Sequence, residues 1–504
     1  MIYTLKTSIV IAVLSVMAIA LLTIFVRRNL RTVAQTAMYA NASAFLVLCI
    51  TQIYAAFGAV AAVTALFARK RSTAAGTALF LIIVLPQIGI TVMVGSLQLF
   101  NISSTACVGL GLLVGSLFWT GRNGSAAFIS DIPACAIILV FTFIGARDST
   151  FTNLLRVVTE NLITFVIPYM LVRKALGDPA CVRNAFLLVI GAGLALSAIA
   201  IFESVRVWPM YQVYGQQFGT LVNAGVKMRG GMLRAGGPMM NPPLSGTILT
   251  LCVVTAFAAR DLFPSRMGFR IVMAVLIVGL FCMQARGAWL GAVCGSIGVV
   301  FSRRGGRAIA GYLPTMLLAG VVVYGAALTS PRVASLVGFS SDARSSNEYR
   351  DRLSDLGFET VRAHPLIGQP IEAVKQQMVS MTQGEGIIDF VNGYLAIALF
   401  SGLIGLSLFV GALLLQGINA YTARRTVRQR GAGSLADLGL GIVFAAASMF
   451  PFVPTEPRIV STILLLFALS NSVSHAFKSE TVKPARALLA RRLDTPVEER
   501  SALA

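Results

Sequence analysis

The sequence predicts an all-α polytopic membrane protein with about 12–14 transmembrane helices and a large external loop. Three observations carry this. Of the 504 residues, 56% are hydrophobic and only 12% are charged, far from the soluble average. Apolar stretches near twenty residues recur from end to end, the length an α-helix needs to cross a bilayer. None of the chain shows the short alternating segments of a β-barrel.

The first apolar segment, TSIVIAVLSVMAIALLTIFV, is too long for a signal-peptide core and has no small-residue cleavage site, so it reads as a retained helix. Further spans are expected near 43–67, 75–98, 104–120, 126–145, 151–172, 184–203, 239–259, 270–285, 287–302, 308–329, 392–417, 435–450 and 459–477. The net charge of +21 reflects basic loops that orient a membrane protein. The basic residues are mostly arginine and form no run interleaved with aromatics, so no nucleic-acid partner is expected. Two histidines and seven cysteines without a CxxC pair predict neither a metal site nor a disulfide framework. No cofactor is expected.

Basic clusters at 69–71, 173–174, 260–270, 303–307 and 423–430 fall on one side if the spans alternate, which makes that side cytoplasmic. The cluster RRNLR at 27–31 falls on the wrong side in this count. The chain then divides into N-terminal transmembrane helices (1–203), a basic external loop (204–238) and transmembrane helices that include an Arg286 hairpin (239–329). A large external loop with an amphipathic helix (330–390), C-terminal transmembrane helices (391–477) and a basic cytoplasmic tail (478–504) complete it.

Residues 271–301 form an apolar run with a single charge, Arg286, at its centre. A charge at the bilayer midplane costs roughly 3 to 17 kcal/mol. The flanking loops are both basic, so the run crosses twice and Arg286, helped by Gly287, marks the outer tip of a hairpin. Each arm spans only about 22 Å at 1.5 Å per residue, so the tip should lie recessed in a cavity. A recessed cation facing outward asks for an anion.

The loop at 204–238 carries Arg206, Lys227, Arg229 and Arg234, with no acid after Glu203. External positive charge runs against the orientation rule, which marks these residues as candidates for binding. Arginine suits phosphate because its planar fork bonds two oxygens at once. Arg234 stands beside the Gly-Gly-Pro turn of RAGGPMMNPPLSG, which leads into a helix whose N-terminal amides also favour anions. The loop at 330–390 is mixed in charge, and Tyr349, Leu353, Leu356 and Val361 fall at helical spacing. Ser345 and Glu348 resemble a capping box, so an amphipathic helix is expected over about 346–363, its charges mostly solvated.

Four patches together resemble the O-antigen ligase and polysaccharide polymerase superfamily of bacterial envelopes. They are RAGGPMMNPPLSG at 234–246, ARGAWLGAV at 285–293, YRDRLSDLGFETVRAHPLIG at 349–368 and VNGYLAIALFSGLIG at 391–405. The resemblance implies a GT-C-like glycosyltransferase, free of metal, in the bacterial inner membrane with its site facing the periplasm. It implies a glycan donor on undecaprenyl diphosphate, an acceptor glycan, and work beside a flippase and a chain-length regulator. Arginines that hold the diphosphate would correspond to Arg234 and Arg286, with Arg206 and Arg229 as further candidates. Ligases of the superfamily carry His, then Asn, Ser or Gln, nine residues, Gly, two residues, Gly. Asn392, Gly402 and Gly405 fit that pattern, but the histidine position is Val391. Valine cannot take a proton, so a polymerase of exopolysaccharide or O-antigen repeats is expected before a ligase acting on lipid A core. Asp389, His364 and Glu203 are the candidate bases. A transporter of lipid-linked glycans would also want a basic cavity, but the two halves show no matching segments.

Overall fold

A computed structural model describes residues 2–26, 30–95, 97–120, 128–147, 150–219, 227–337, 341–382 and 388–494. Helices account for nearly all of it. The N-terminal part holds α1 (Ile2–Phe25), α2 (Arg31–Val47), α3 (Ile53–Ala68), α4 (Arg71–Val84), α5 (Ser104–Ser116), α6 (Ile132–Ala146), α7 (Phe151–Asn161), α8 (Ile167–Ala175) and α9 (Pro179–Arg206). After the short α10 (Gln212–Gln217) come α11 (Pro242–Ala258), α12 (Arg266–Met283), α13 (Arg286–Arg304) and α14 (Gly306–Thr329). The second long loop contains α15 (Pro331–Val337), α16 (Ser341–Ala363) and α17 (Ile371–Gln377), before α18 (Gly393–Val427), α19 (Leu438–Met449) and α20 (Pro457–Asp494). Among the described residues, seven helical segments are long and apolar enough to cross a membrane, and five shorter apolar helices accompany them. The chain is an all-α, multi-pass membrane protein.

The basic clusters gather at one end of the bundle. Arg71 donates to the Lys174 carbonyl at 2.7 Å. Asp437, whose side chain is fully buried, pairs with Arg303 at 2.7 Å and Arg428 at 2.6 Å. The Ser434 amide donates to Asp261 at 2.7 Å. A buried carboxylate shared by two guanidiniums is compensated where a lone charge would not be.

The structure also explains the misplaced cluster at 27–31. The start of α1 lies at the opposite end, where Lys6 sits 5.4 Å over the Trp208 ring and Ser8 meets the Tyr214 hydroxyl at 2.7 Å. Its last turn reaches the basic end, where Phe25 packs on Gly268 at the start of α12. Helix α2 then returns, its C-terminal carbonyl at Leu48 accepting from Gln217. The expected span at 43–67 is therefore two helices, and the extra pass reverses the count. Leu30 and Arg31 follow α1 on the basic side; Arg27, Arg28 and Asn29 lie outside the described residues.

The expected span at 75–98 is corrected as well. Pro86 follows the end of α4, and residues Gly89–Val94 and Leu97–Ser103 form an antiparallel hairpin, β1 and β2. The β-branched run ITVMV favours a strand, and Arg156 holds it by donating to the Gln98 and Leu99 carbonyls.

Candidate functional site

At the end opposite the basic clusters, the chain builds a cavity of 390 Å3. The expected hairpin is present, but its turn is made by Gln284 and Ala285. Gln284 ends α12 in the left-handed region at φ 49°, and Arg286 opens α13. Trp289 closes the turn, stacking on Phe281 with ring centroids 5.7 Å apart and donating to the Leu280 carbonyl at 3.1 Å. Gly287 takes no part in the turn. A Cβ there would come within 2.6 Å of Phe452, so the glycine lets the chain before α20 close against α13.

The basic loop arrives through a second hairpin. Strands β3 (Met228–Arg229) and β4 (Met232–Leu233) pair across Gly230 and Gly231, both at positive φ, as a two-residue turn of this hand requires. The hairpin is fastened from below. Ser204 donates to the Leu233 carbonyl at 2.9 Å, and the Ala235 amide donates to the Cys282 carbonyl at 3.1 Å. Glu203 is buried and accepts the Met210 amide at 2.9 Å and the Gly237 amide at 3.2 Å, one on each oxygen. Its carboxylate thus holds the ends of the loop.

Four guanidiniums line the cavity: Arg229, Arg234, Arg286 and Arg350. Arg229 and Arg234 both donate to the Gln284 carbonyl, at 3.2 and 3.4 Å. Arg286 donates to the Leu336 carbonyl at 3.2 Å. Among the described residues of the lining there is no aspartate or glutamate. The Arg234 Nε and both side-chain polar atoms of Gln284 are buried without a partner. Burial, then the neighbouring charges of Arg229, Arg286 and Arg350, lower Arg234 from the usual guanidinium range to about 10. Burial and Arg350 act on Arg229 in the same direction. Four cations facing one space, with no counter-charge among the described lining residues, form a site that an anion rich in oxygens would stabilise.

Three of the four expected arginines therefore meet. Arg206 does not: it is exposed in the last turn of α9. Arg350 was expected on a solvated face. Helix α16 instead begins at Ser341, because nothing in SDARSSNE breaks it, and Ser345 lies inside the helix rather than capping it. Tyr349, Leu353, Leu356 and Val361 pack into a small core with Leu395 and Leu399 of α18, and this turns Arg350 toward the cavity. The signal was available, since Arg350 directly follows the apolar Tyr349 and precedes Leu353 by one helical turn.

The candidate bases lie elsewhere. His364 is exposed at the end of the helical run, and its carbonyl accepts the Gly368 amide at 3.1 Å. Asp389 is exposed, and its amide donates to the Tyr349 hydroxyl at 3.3 Å. Neither these nor Glu203 lines the arginine cavity.

The motif residues shape the entrance to α18. Asn392 caps it, its side-chain oxygen accepting the Tyr394 and Leu395 amides at 3.1 and 3.2 Å. Gly402 breaks it with φ 66° and ψ −170°. Into the break goes the segment after His364: the Leu403 and Ile404 amides donate to the Pro365 and Leu366 carbonyls at 2.7 and 3.2 Å, and the Gln369 amide donates to Leu399 at 2.8 Å. A Cβ at Gly402 would meet the Leu366 carbonyl carbon at 2.3 Å. The Gly405 position is filled by the Ser401 side chain.

Residues 271–410 match the family model described as O-antigen ligase, a match that supports an O-antigen ligase/polymerase-like family. The matched segment contains Arg286, Arg350, the large loop and the break at Gly402. No curated protein matches the chain.

Proposed function

We propose that the chain is a polysaccharide polymerase, making exopolysaccharide or O-antigen, of the bacterial inner membrane. It transfers a glycan from undecaprenyl diphosphate to a hydroxyl of an acceptor glycan at the periplasmic face. The acceptor oxygen forms a bond to the anomeric carbon as the bond from that carbon to the diphosphate oxygen breaks. The electron pair leaves on the diphosphate. The four-arginine cavity, with no acid among its described lining residues, carries this reading, because charge develops on the leaving diphosphate and preorganised cations facing it supply the largest share of catalysis. Val391 favours a polymerase over a ligase, since the ligase histidine is missing.

The test uses purified protein in liposomes with undecaprenyl diphosphate-linked repeat units and no other acceptor. A ladder of longer lipid-linked glycans is expected. Transfer only after lipid A core is added would make it a ligase, the activity named by the family. Lipid-linked units changing leaflet with no product would make it a transporter.

A further inference from the structure

We propose that the basic end of the bundle holds a binding site for an anionic phospholipid, its headgroup seated in a pocket between α18, α20 and the turn before α6. The inference goes beyond the polymerase reading and needs only that the chain spans a membrane. The pocket has a volume of 270 Å3 and is lined by Asn419, Thr422 and Arg424 of α18, Ser470 and His475 of α20, and Ser130. Its depth suits a headgroup. Arg424 follows the Gly402 break by 22 residues, about 33 Å at 1.5 Å per residue, and the hydrocarbon core is about 30 Å thick.

The pocket is built for an anion. Arg424 is buried, 9% exposed. Its guanidinium lies over the Tyr421 ring, which stacks on Phe301 with centroids 5.5 Å apart. Nη1 donates to the Tyr421 carbonyl. Nε and Nη2 have no protein acceptor among the described residues and are not sealed from the pocket. The side-chain nitrogen of Asn419 is buried without a partner. Among the described lining residues there is no aspartate or glutamate. Asp131, next to Ser130, is already taken by Arg173 at 3.0 Å and the Tyr169 hydroxyl at 2.7 Å. A buried guanidinium without a carboxylate, beside an unused amide donor, is completed by phosphate oxygens.

The surroundings point to a lipid. Leu414 and Ile418 are exposed one turn apart on α18, and Thr422 continues their line into the pocket. Ile129, also exposed, lines the pocket from the turn before α6. An acyl chain lying along Leu414 and Ile418 would bring its phosphate to Arg424. The Thr422 and Ser474 hydroxyls donate to the Ile418 and Asn471 carbonyls, both at 2.9 Å, so their oxygens remain as acceptors for hydroxyls of a headgroup such as glycerol.

The experiment titrates dioctanoyl phosphatidylglycerol into purified, delipidated protein in a neutral detergent. It compares Arg424→Gln with Arg425→Gln, which removes the same charge from the neighbouring, exposed position. Both variants keep the four-arginine cavity, so a difference between them reports on this pocket. Arg424→Gln should weaken binding by about 10-fold or more, the loss of a charge-assisted contact, and Arg425→Gln should leave it unchanged. Equal effects of the two substitutions overturn the proposal, as does phosphatidylcholine binding with the same dependence on Arg424. Inorganic phosphate binding as tightly as the lipid, with that dependence, would make this a site for a free anion and overturn the lipid assignment. If Arg424→Gln does not fold, Asn419→Leu decides. It keeps the charge and removes the amide donor, so phosphatidylglycerol binding should weaken by about 3-fold or more; unchanged binding overturns the proposal.

Discussion

Arg229 and Arg234, five residues apart across a β-turn, donate to one carbonyl oxygen, that of Gln284. Two guanidiniums seldom share so little acceptor capacity unless other oxygens complete them. Substituting Arg234 or Arg286 by alanine should reduce polymerisation by about 10²- to 10³-fold, the usual cost of losing a preorganised charge donor. Both variants should still insert in the membrane. Lysine should restore part of the activity, because it keeps the charge and loses the fork. Wild-type polymer levels from both alanine variants would remove the diphosphate role.

The same crowding sets a pH dependence. Burial and its cationic neighbours lower Arg234 to about 10, so this guanidinium stays charged at and below pH 8. Pyrophosphate affinity of the purified protein should be flat from pH 7 to pH 9 as far as Arg234 governs it, and should fall as pH rises through about 10. Arg350→Ala removes one repelling neighbour, so it should move the fall to higher pH while lowering affinity at pH 7. Calorimetric titration across that range reads both effects.

Gly402 has a structural task that its place in the motif does not reveal. Any side chain there would be strained at φ 66° and would collide with the Leu366 carbonyl. Gly402→Ala should cost at least about 1–2 kcal/mol from the left-handed backbone alone. The displaced segment 365–369 should become sensitive to limited proteolysis in the purified variant. An unchanged melting temperature and cleavage pattern would mean that the break is not held by the glycine.

The parts of this layout that were legible in the sequence were those marked by contrast. Arg286 stood out because it interrupts an apolar run, and the hairpin followed from basic loops on both sides. The β1–β2 hairpin was hidden, because an apolar β-branched run has no period that separates a buried strand from a helix. Helix α2 was hidden for another reason: its buried face is built from Val33, Ala34, Ala37, Ala40 and Asn41, small residues that score as weakly apolar but pack closely. Arg350 was lost among the charges of an amphipathic helix.

Asp437 should be among the most sensitive positions outside the cavity. Its side chain has no exposure and holds Arg303, Arg428 and the Ser302 hydroxyl. Asp437→Asn removes the charge and leaves two guanidiniums to share a neutral oxygen. Breaking a buried pair from one side costs roughly 3–5 kcal/mol. The purified variant should melt well below the wild type, and pyrophosphate binding at the far end should persist at temperatures where it is still folded.

The path of α1 gives the topology a sharper test than the loops alone. Tyr3 is exposed and lies with Trp208, their ring centroids 6.0 Å apart, at the cavity end. Met228 and Val379 are exposed on the two long loops, and Arg425 is exposed at the basic end of α18. With the cavity facing the periplasm, cysteines replacing Tyr3, Met228 and Val379 should react with a membrane-impermeant maleimide in whole cells, above the background of the native thiols. A cysteine replacing Arg425 should react only after lysis. Labelling of Met228→Cys and Val379→Cys without Tyr3→Cys would return α1 to the opposite orientation and put the cluster at 27–31 outside again. Labelling of Arg425→Cys alone in whole cells would invert the protein, and a periplasmic polymerase site would be lost with it.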